Sequence, residues 1–194
     1  MRSSLEASLT GCREATNRDA NGKVPFGAHA GSWLGAVGYL ALLDQIGGAV
    51  VSLRPHRSPS GRTDFERAIA QLTNVTDDEA ICLYALRNSL AHNFSLVNIP
   101  PDHNHMGRVR RRKLTRLFTL TRGASKLIEW PTSDWNPRWP NSGGATTVDV
   151  QLLGDLVEQA VHELRHIYTA GALRIRDDVS PALWRSGRFH VHAD

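Results

Sequence analysis

The sequence predicts a mainly α-helical protein, a bundle of four to five helices with one small inserted β-hairpin. Most of the chain repeats its apolar residues at three- and four-residue spacing, which is the period of an amphipathic helix. One segment, Leu114 to Arg122, follows instead the two-residue period of a half-buried strand. Helices that bury one face against each other, with a single hairpin among them, form a bundle.

Three helices are expected before the middle of the chain. Their predicted ranges are about 3–16, about 31–52 and about 62–73. The second is apolar for most of its length, and Gly47 and Gly48 are expected to end or kink it. The third carries Phe65, Ile69 and Leu72 on one face, which we expect to be buried.

The fourth helix is expected over about 76–94. Thr76 followed by Glu79 is a capping-box sequence, which marks a helix start. The segment from Ala80 to Leu86 has almost no polar side, so we expect this half of the helix to be buried. Cys82, within it, is expected to be a small core residue.

The second half of the chain is predicted to contain the hairpin and the last helix. Residues 125–130 are expected to return beside Leu114–Arg122 across Gly123 and Ala124. A loop rich in Pro and Trp over 131–146 then leads to a helix over about 148–170. The predicted core stripe of that helix is Val150, Leu153, Val157, Ala160, Leu164 and Tyr168.

The fourth helix carries the candidate site. At about 100° per residue, one sector of it is polar and adjoins an apolar stripe. The stripe is Leu83, Leu86, Leu90 and Phe94, and the polar sector is Tyr84, Arg87, Asn88, Ala91, His92 and Ser95. An arginine following directly on an apolar run needs a carboxylate, backbone carbonyls or a ligand phosphate. Asn88 and His92 are expected nearly to touch, with Ala91 between His92 and Arg87. Arginine can hold a phosphate with two donors, and histidine can transfer a proton near neutral pH.

Arg87-Asn88-x-x-x-His92 in a helix of this kind resembles the motif of the HEPN superfamily, R-x4-6-H with a polar residue often following the arginine. The resemblance implies a small helical domain that cuts RNA without metal or cofactor, as in toxins and anti-phage effectors. It implies Arg87 and His92 as the catalytic pair and Asn88 as a supporting residue. It also implies a homodimer with a composite site, and an antitoxin or activator as a further partner. In a toxin subgroup that is neutralised by AMP transfer, a tyrosine occupies the position of Phe94. Because phenylalanine has no hydroxyl, neutralisation by AMP transfer is not expected here.

A dense basic segment favours RNA as the ligand. Six cations fall within residues 108–116, and the formal net charge is +4. The assigned RNA-binding residues are Arg108, Arg110, Arg111, Arg112, Lys113 and Arg116, with Tyr84 and Ser95 beside the motif. A solvated hairpin edge is the alternative, because 20 arginines against 3 lysines suggest codon bias. Trp130, Trp135 and Trp139 could stack bases, bury a dimer contact or cover the hairpin's core face.

A second motif offers a different enzyme class. His162-Glu163-Leu164-Arg165-His166 matches H-E-x-x-H, in which two imidazoles bind zinc and the glutamate is a base. The helical period places both histidines opposite the core stripe, on a face with Asp155 and Glu158 that we expect to be solvated. A third ligand would have to come from Asp177, Asp178, His190, His192 or Asp194. The zinc peptidase is therefore the third hypothesis. The first is the metal-independent ribonuclease, and the second is a non-catalytic module that binds RNA, a nucleotide or a protein. No structural metal is expected.

Composition favours a cytoplasmic protein. The 194 residues are expected to form one domain, with a core over about 31–171 between an N-terminal segment and a C-terminal tail. Cys12 and Cys82 form no C-x-x-C pair, which suggests a reducing compartment. The N-terminus is polar, without a secretory signal. The apolar stretch 33–53 is interrupted by Asp44 and Gln45, so we expect a buried helix and no membrane span.

Overall fold

Five helices make up most of the described structure. The computed structural model describes residues 4–25, 33–52, 63–93, 95–98, 116–131 and 144–175. The helices are α1 (Ser4–Ala15), α2 (Trp33–Ala49), α3 (Asp64–Leu72), α4 (Asp77–Asn93) and α5 (Val150–Thr169). Each lies where the sequence predicts one, and the mainly helical fold class is confirmed. The Pro- and Trp-rich loop from 132 onward, the basic segment 108–115 and the tail beyond 175 lie outside the described residues.

Helix α2 is the centre of the bundle, since it contacts α1, α3, α4 and α5. Its Tyr39, Leu40 and Leu43 are almost completely buried, which confirms the predicted buried helix. Leu9 and Cys12 of α1 belong to the same buried cluster. Among the described residues, no helix combines the length and the apolar character that a membrane span requires.

The end of α2 differs from the prediction. The helix continues through Gly47 and Gly48, and the chain then forms a strand, β1 (Val50–Ser52), where the sequence predicts helix. A side chain at Gly47 would overlap the carbonyl oxygen of Asp64, so this glycine lets α2 and α3 approach closely. The strand is specified by a distant segment, because β1 pairs antiparallel with β6 (Leu173–Ile175).

The predicted hairpin is wrong, because a four-stranded mixed sheet takes its place. Its strands are β2 (Val97–Asn98), β3 (Arg116–Thr121), β4 (Ile128–Glu129) and β5 (Ala145–Asp149), in the order β2-β3-β5-β4. Strand β5, which the sequence analysis assigned to loop and helix, lies parallel to β3 and separates it from β4. Asp149 stabilises this arrangement, since its carboxylate accepts from the backbone N–H of Ala124 and of Leu152, each at 2.8 Å. The first bond holds the turn after β3 and the second caps α5.

Helix α5 buries a wider face than predicted. All of the predicted stripe is buried except Tyr168, which is 49% exposed, while the neighbouring Ile167 is buried. Glu158, which was expected on the solvated face, instead forms a bidentate salt bridge with Arg13 of α1, with N–O distances of 2.6 and 2.7 Å. Trp130 is partly buried and packs against the core, and Cys82 is buried as predicted.

Candidate active site

Helix α4 begins and packs as the sequence predicts. The Thr76 backbone N–H and hydroxyl both donate to a Glu79 carboxylate oxygen, and the Glu79 N–H donates back to the Thr76 hydroxyl. This capping box fixes the helix start. Of the predicted apolar stripe, Leu83, Leu86 and Leu90 are fully buried, whereas Phe94 lies outside the described residues.

Arg87 is the centre of a polar cluster that joins α2 to α4. Its Nη2 donates to Oδ2 of Asp44 at 2.5 Å, and its Nη1 lies 3.0 Å from both Oδ1 of Asn88 and Nε2 of His92. These four residues, Asp44, Arg87, Asn88 and His92, are called the Arg87 cluster below. Of the three partners that the sequence left open for Arg87, the structure shows a carboxylate. Asn88 and His92 were expected nearly to touch, and the structure places Nη1 of Arg87 in contact with both.

The contact between Arg87 and His92 defines the state of the imidazole. A guanidinium can only donate hydrogen bonds, so Nε2 of His92 must accept. This hydrogen bond favours the tautomer that carries its proton on Nδ1. His92 is exposed, whereas the side chain of Arg87 is only 22% exposed. The cluster thus places an imidazole near the surface, beside the positive charge of Arg87.

The hydrogen bonds of Arg87 limit how it could hold a phosphate. Of its five N–H donors, the two on Nη1 are directed at Asn88 and His92, and one on Nη2 at Asp44. The Nε atom is buried and has no hydrogen-bond partner among the described residues. A grip on a phosphate through two donors, as the sequence analysis expected, therefore requires Arg87 to release at least one present contact.

Asp44 is the member of the cluster that the sequence analysis did not assign to the site. It is the only charged residue in the sequence of α2, and Arg87 is the only arginine or lysine in α4. A lone carboxylate in the apolar α2 and a lone arginine after the apolar run of α4 are a signal for an ion pair, because either charge alone would be costly to bury. The bond spans 43 positions in the chain, and local periodicity gives no information about which helices face each other.

The other described residues assigned to RNA binding have structural contacts of their own. Tyr84 is half-buried and packs against Phe65 of α3, with ring centroids 6.0 Å apart. The Ser95 hydroxyl accepts from the Val97 N–H at 2.9 Å and shapes the exit from α4. Arg116 is half-buried at the start of β3, and burial lowers the pKa of its guanidinium. The remaining assigned residues, Arg108, Arg110, Arg111, Arg112 and Lys113, lie outside the described residues.

The H-E-x-x-H segment lies on the exposed face of α5. His162 and His166 are both exposed, as the sequence predicts. Within the described ranges, no three His, Cys, Asp or Glu side chains are grouped so that they could hold a metal ion. The five residues considered as a third ligand lie beyond residue 175, outside the described residues. The position of the two histidines therefore gives the zinc hypothesis no support.

Comparison with known proteins finds no family model, curated protein or solved structure that matches this chain. Function must therefore be argued from the residues and the geometry of the Arg87 cluster.

Proposed function

We propose that this chain is a metal-independent endoribonuclease of the HEPN type, with Arg87 and His92 as its catalytic pair. The observation that carries the proposal is the 3.0 Å approach of Arg87 Nη1 to His92 Nε2 on one helix. Those two side chains are the ones that the R-x4-6-H resemblance assigns to catalysis. The mainly helical fold and the exposure of His92 agree with the proposal.

In the proposed reaction, the ribose 2′-oxygen attacks the adjacent phosphorus and the bond from phosphorus to the 5′-oxygen breaks. Once Arg87 turns from Nε2 of His92 to the phosphate, that nitrogen takes the 2′-hydroxyl proton, or in its protonated form gives a proton to the leaving 5′-oxygen. Arg87 stabilises the negative charge that develops on the phosphoryl oxygens. Asn88 supports the pair by accepting a hydrogen bond from Arg87. The products carry a 2′,3′-cyclic phosphate and a 5′-hydroxyl.

The proposal extends to partners and location. A cytoplasmic homodimer would bring two Arg87 clusters together into one composite site, and an antitoxin or activator would control it. The basic segment 108–116 would contribute contacts to RNA phosphates. A toxin or anti-phage effector is the biological role that fits such an enzyme.

A non-catalytic binding module is the second candidate, and one observation favours it. Hydrogen bonds within the protein already occupy three of the five N–H donors of Arg87, which is what a purely structural arginine would show. Such a module would bind RNA equally well with His92→Ala and would cleave it in neither form. A binding assay run beside the cleavage assay separates the two candidates.

The proposed chemistry is tested with a mixed-sequence RNA and a DNA of the same sequence, each incubated with the protein in excess EDTA. We expect cleavage of RNA alone, with cyclic phosphate ends. A DNA strand that carries a single ribonucleotide should be cut only on the 3′ side of that ribonucleotide. Cleavage of DNA at the same rate would contradict participation of the 2′-hydroxyl.

A further inference from the structure

We infer that Asp44 is a positioning residue for the proposed catalytic pair, because its carboxylate orients the Arg87 guanidinium towards Nε2 of His92. The effect on catalysis rests on the proposed function, whereas the effect on His92 can be measured without it. Asp44 contacts Arg87 and acts on His92 only through it.

Asp44 is placed by a rigid element. It lies on α2, between Leu43 and Ile46, which are both buried in the core. Its side chain is 31% exposed and reaches Arg87 on α4 at 2.5 Å, as a charge-assisted hydrogen bond. The position of the carboxylate is therefore set by a helix that packs against the four others, and not by a loop.

A carboxylate on one side of a guanidinium also determines where the other side points. The guanidinium is planar, so fixing Nη2 against Asp44 restricts the direction of both Nη1 hydrogens. Those hydrogens are directed at Asn88 and His92. The contact with Nη1 in turn requires Nε2 to be the unprotonated nitrogen, so the effect of Asp44 extends to the tautomer of His92.

Loss of the Asp44 charge should free Arg87. Arginine has many rotamers, and without a charged partner on α2 its half-buried head would gain by turning towards water. His92 would then lose its donor and populate both neutral tautomers. If Asp44 were only a tether between α2 and α4, its loss would lower stability and leave His92 as it is.

The chain provides a matched control for that distinction. Glu158 on α5 is also half-buried and also pairs with an arginine, Arg13 of α1, at 2.6 Å. Neither partner belongs to the Arg87 cluster. Glu158→Gln therefore removes a comparable ion pair between two helices without changing the support of Arg87.

The experiment compares the wild type, Asp44→Asn and Glu158→Gln as full-length protein. Thermal unfolding gives their stability, the ¹⁵N chemical shifts of the His92 ring give its tautomer, and RNA cleavage gives kcat and KM. We expect both variants to lose stability. Only Asp44→Asn should move His92 from the Nδ1–H form to a mixture, and lower kcat about tenfold to hundredfold with little change in KM.

Each outcome decides the inference. An unchanged His92 tautomer in Asp44→Asn overturns it, and so does a changed tautomer with unchanged kcat. If the wild type cuts no RNA, the proposed function fails, while the tautomer comparison still tests the orientation of Arg87 by Asp44. If Asp44→Asn does not fold, Asp44→Ser removes the carboxylate with a smaller polar side chain, and an unaltered tautomer there would equally overturn the inference.

Discussion

Nη1 of Arg87 lies 3.0 Å from Nε2 of His92, five positions later on the same helix. Residues five apart point about 140° away from each other around a helix axis, so this contact is not automatic. It forms because the long arginine side chain lies across the helix face, bonded to Asn88 on its own helix and to Asp44 on α2. The motif spacing alone therefore does not create the pair, and the surrounding bundle does.

Arg87→Lys should abolish most of the proposed activity although it keeps the charge. A single ammonium cannot hold Asp44, Asn88 and His92 in the geometry of a planar fork. We expect the rate of RNA cleavage to fall about 100-fold, the usual cost of losing one group that stabilises developing charge. Arg165→Lys is the control, because Arg165 is exposed and makes a long contact of 3.4 Å to Glu6. Equal rates for wild type and Arg87→Lys would show that the fork is not required.

Gly47→Ala should destabilise the bundle, because the new methyl group would overlap the Asp64 carbonyl where α2 meets α3. Overpacking of this kind costs about 1–3 kcal/mol. Gly11→Ala is the matched control, since nothing lies within 4 Å of a side chain built there. In the middle of α1 it should raise stability by up to about 1 kcal/mol. Urea unfolding measures both changes, and a neutral Gly47→Ala would contradict the close approach of the two helices.

The two thiols should be inert in the folded protein. Burial raises the pKa of Cys12 to about 11 and that of Cys82 to about 12. At pH 8 both remain protonated, and only the thiolate attacks a disulfide reagent. Reaction with such a reagent should therefore be slow in buffer and fast in denaturant. Fast reaction of both thiols with the folded protein would contradict their burial.

The raised pKa of Cys82 also predicts how the free energy of unfolding changes at alkaline pH. An unfolded thiol loses its proton near its ordinary value of 9.0, whereas Cys82 in the folded state keeps it to about 12. The unfolded state then binds fewer protons, so the free energy of unfolding falls as pH rises through this window. The slope approaches about 1.4 kcal/mol per pH unit for one such group. Cys82→Ala should show a shallower decline between these limits, and an identical decline would contradict the shift.

Local signals predicted the helices and the strand that became β3, but not how the strands of the sheet pair. The start of α4 could be predicted because Thr76 and Glu79 form a capping box within four residues of chain. Strand β5 could not, because its parallel partner is distant: Leu117 pairs with Ala145. The short run of Thr146, Thr147 and Val148 has no turn signal or length that separates it from a loop before a helix.

The candidate site was predicted only in part for the same reason. The local pattern singled out Arg87, Asn88 and His92, and the structure brings them together. The pattern also showed that Arg87 needs a partner, and the lone carboxylate of α2 was a signal for one. Helical periodicity does not show which helices face each other, so the pairing of Asp44 with Arg87 became evident only in the folded bundle.

The most direct test of the central claim is RNA cleavage in excess EDTA by the wild type, His92→Ala and His162→Ala. His92 and His162 are both exposed histidines on helices, and only His92 belongs to the Arg87 cluster. We predict that the wild type and His162→Ala cut RNA at similar rates and that His92→Ala does not. Cleavage by His92→Ala at the wild-type rate would contradict the account.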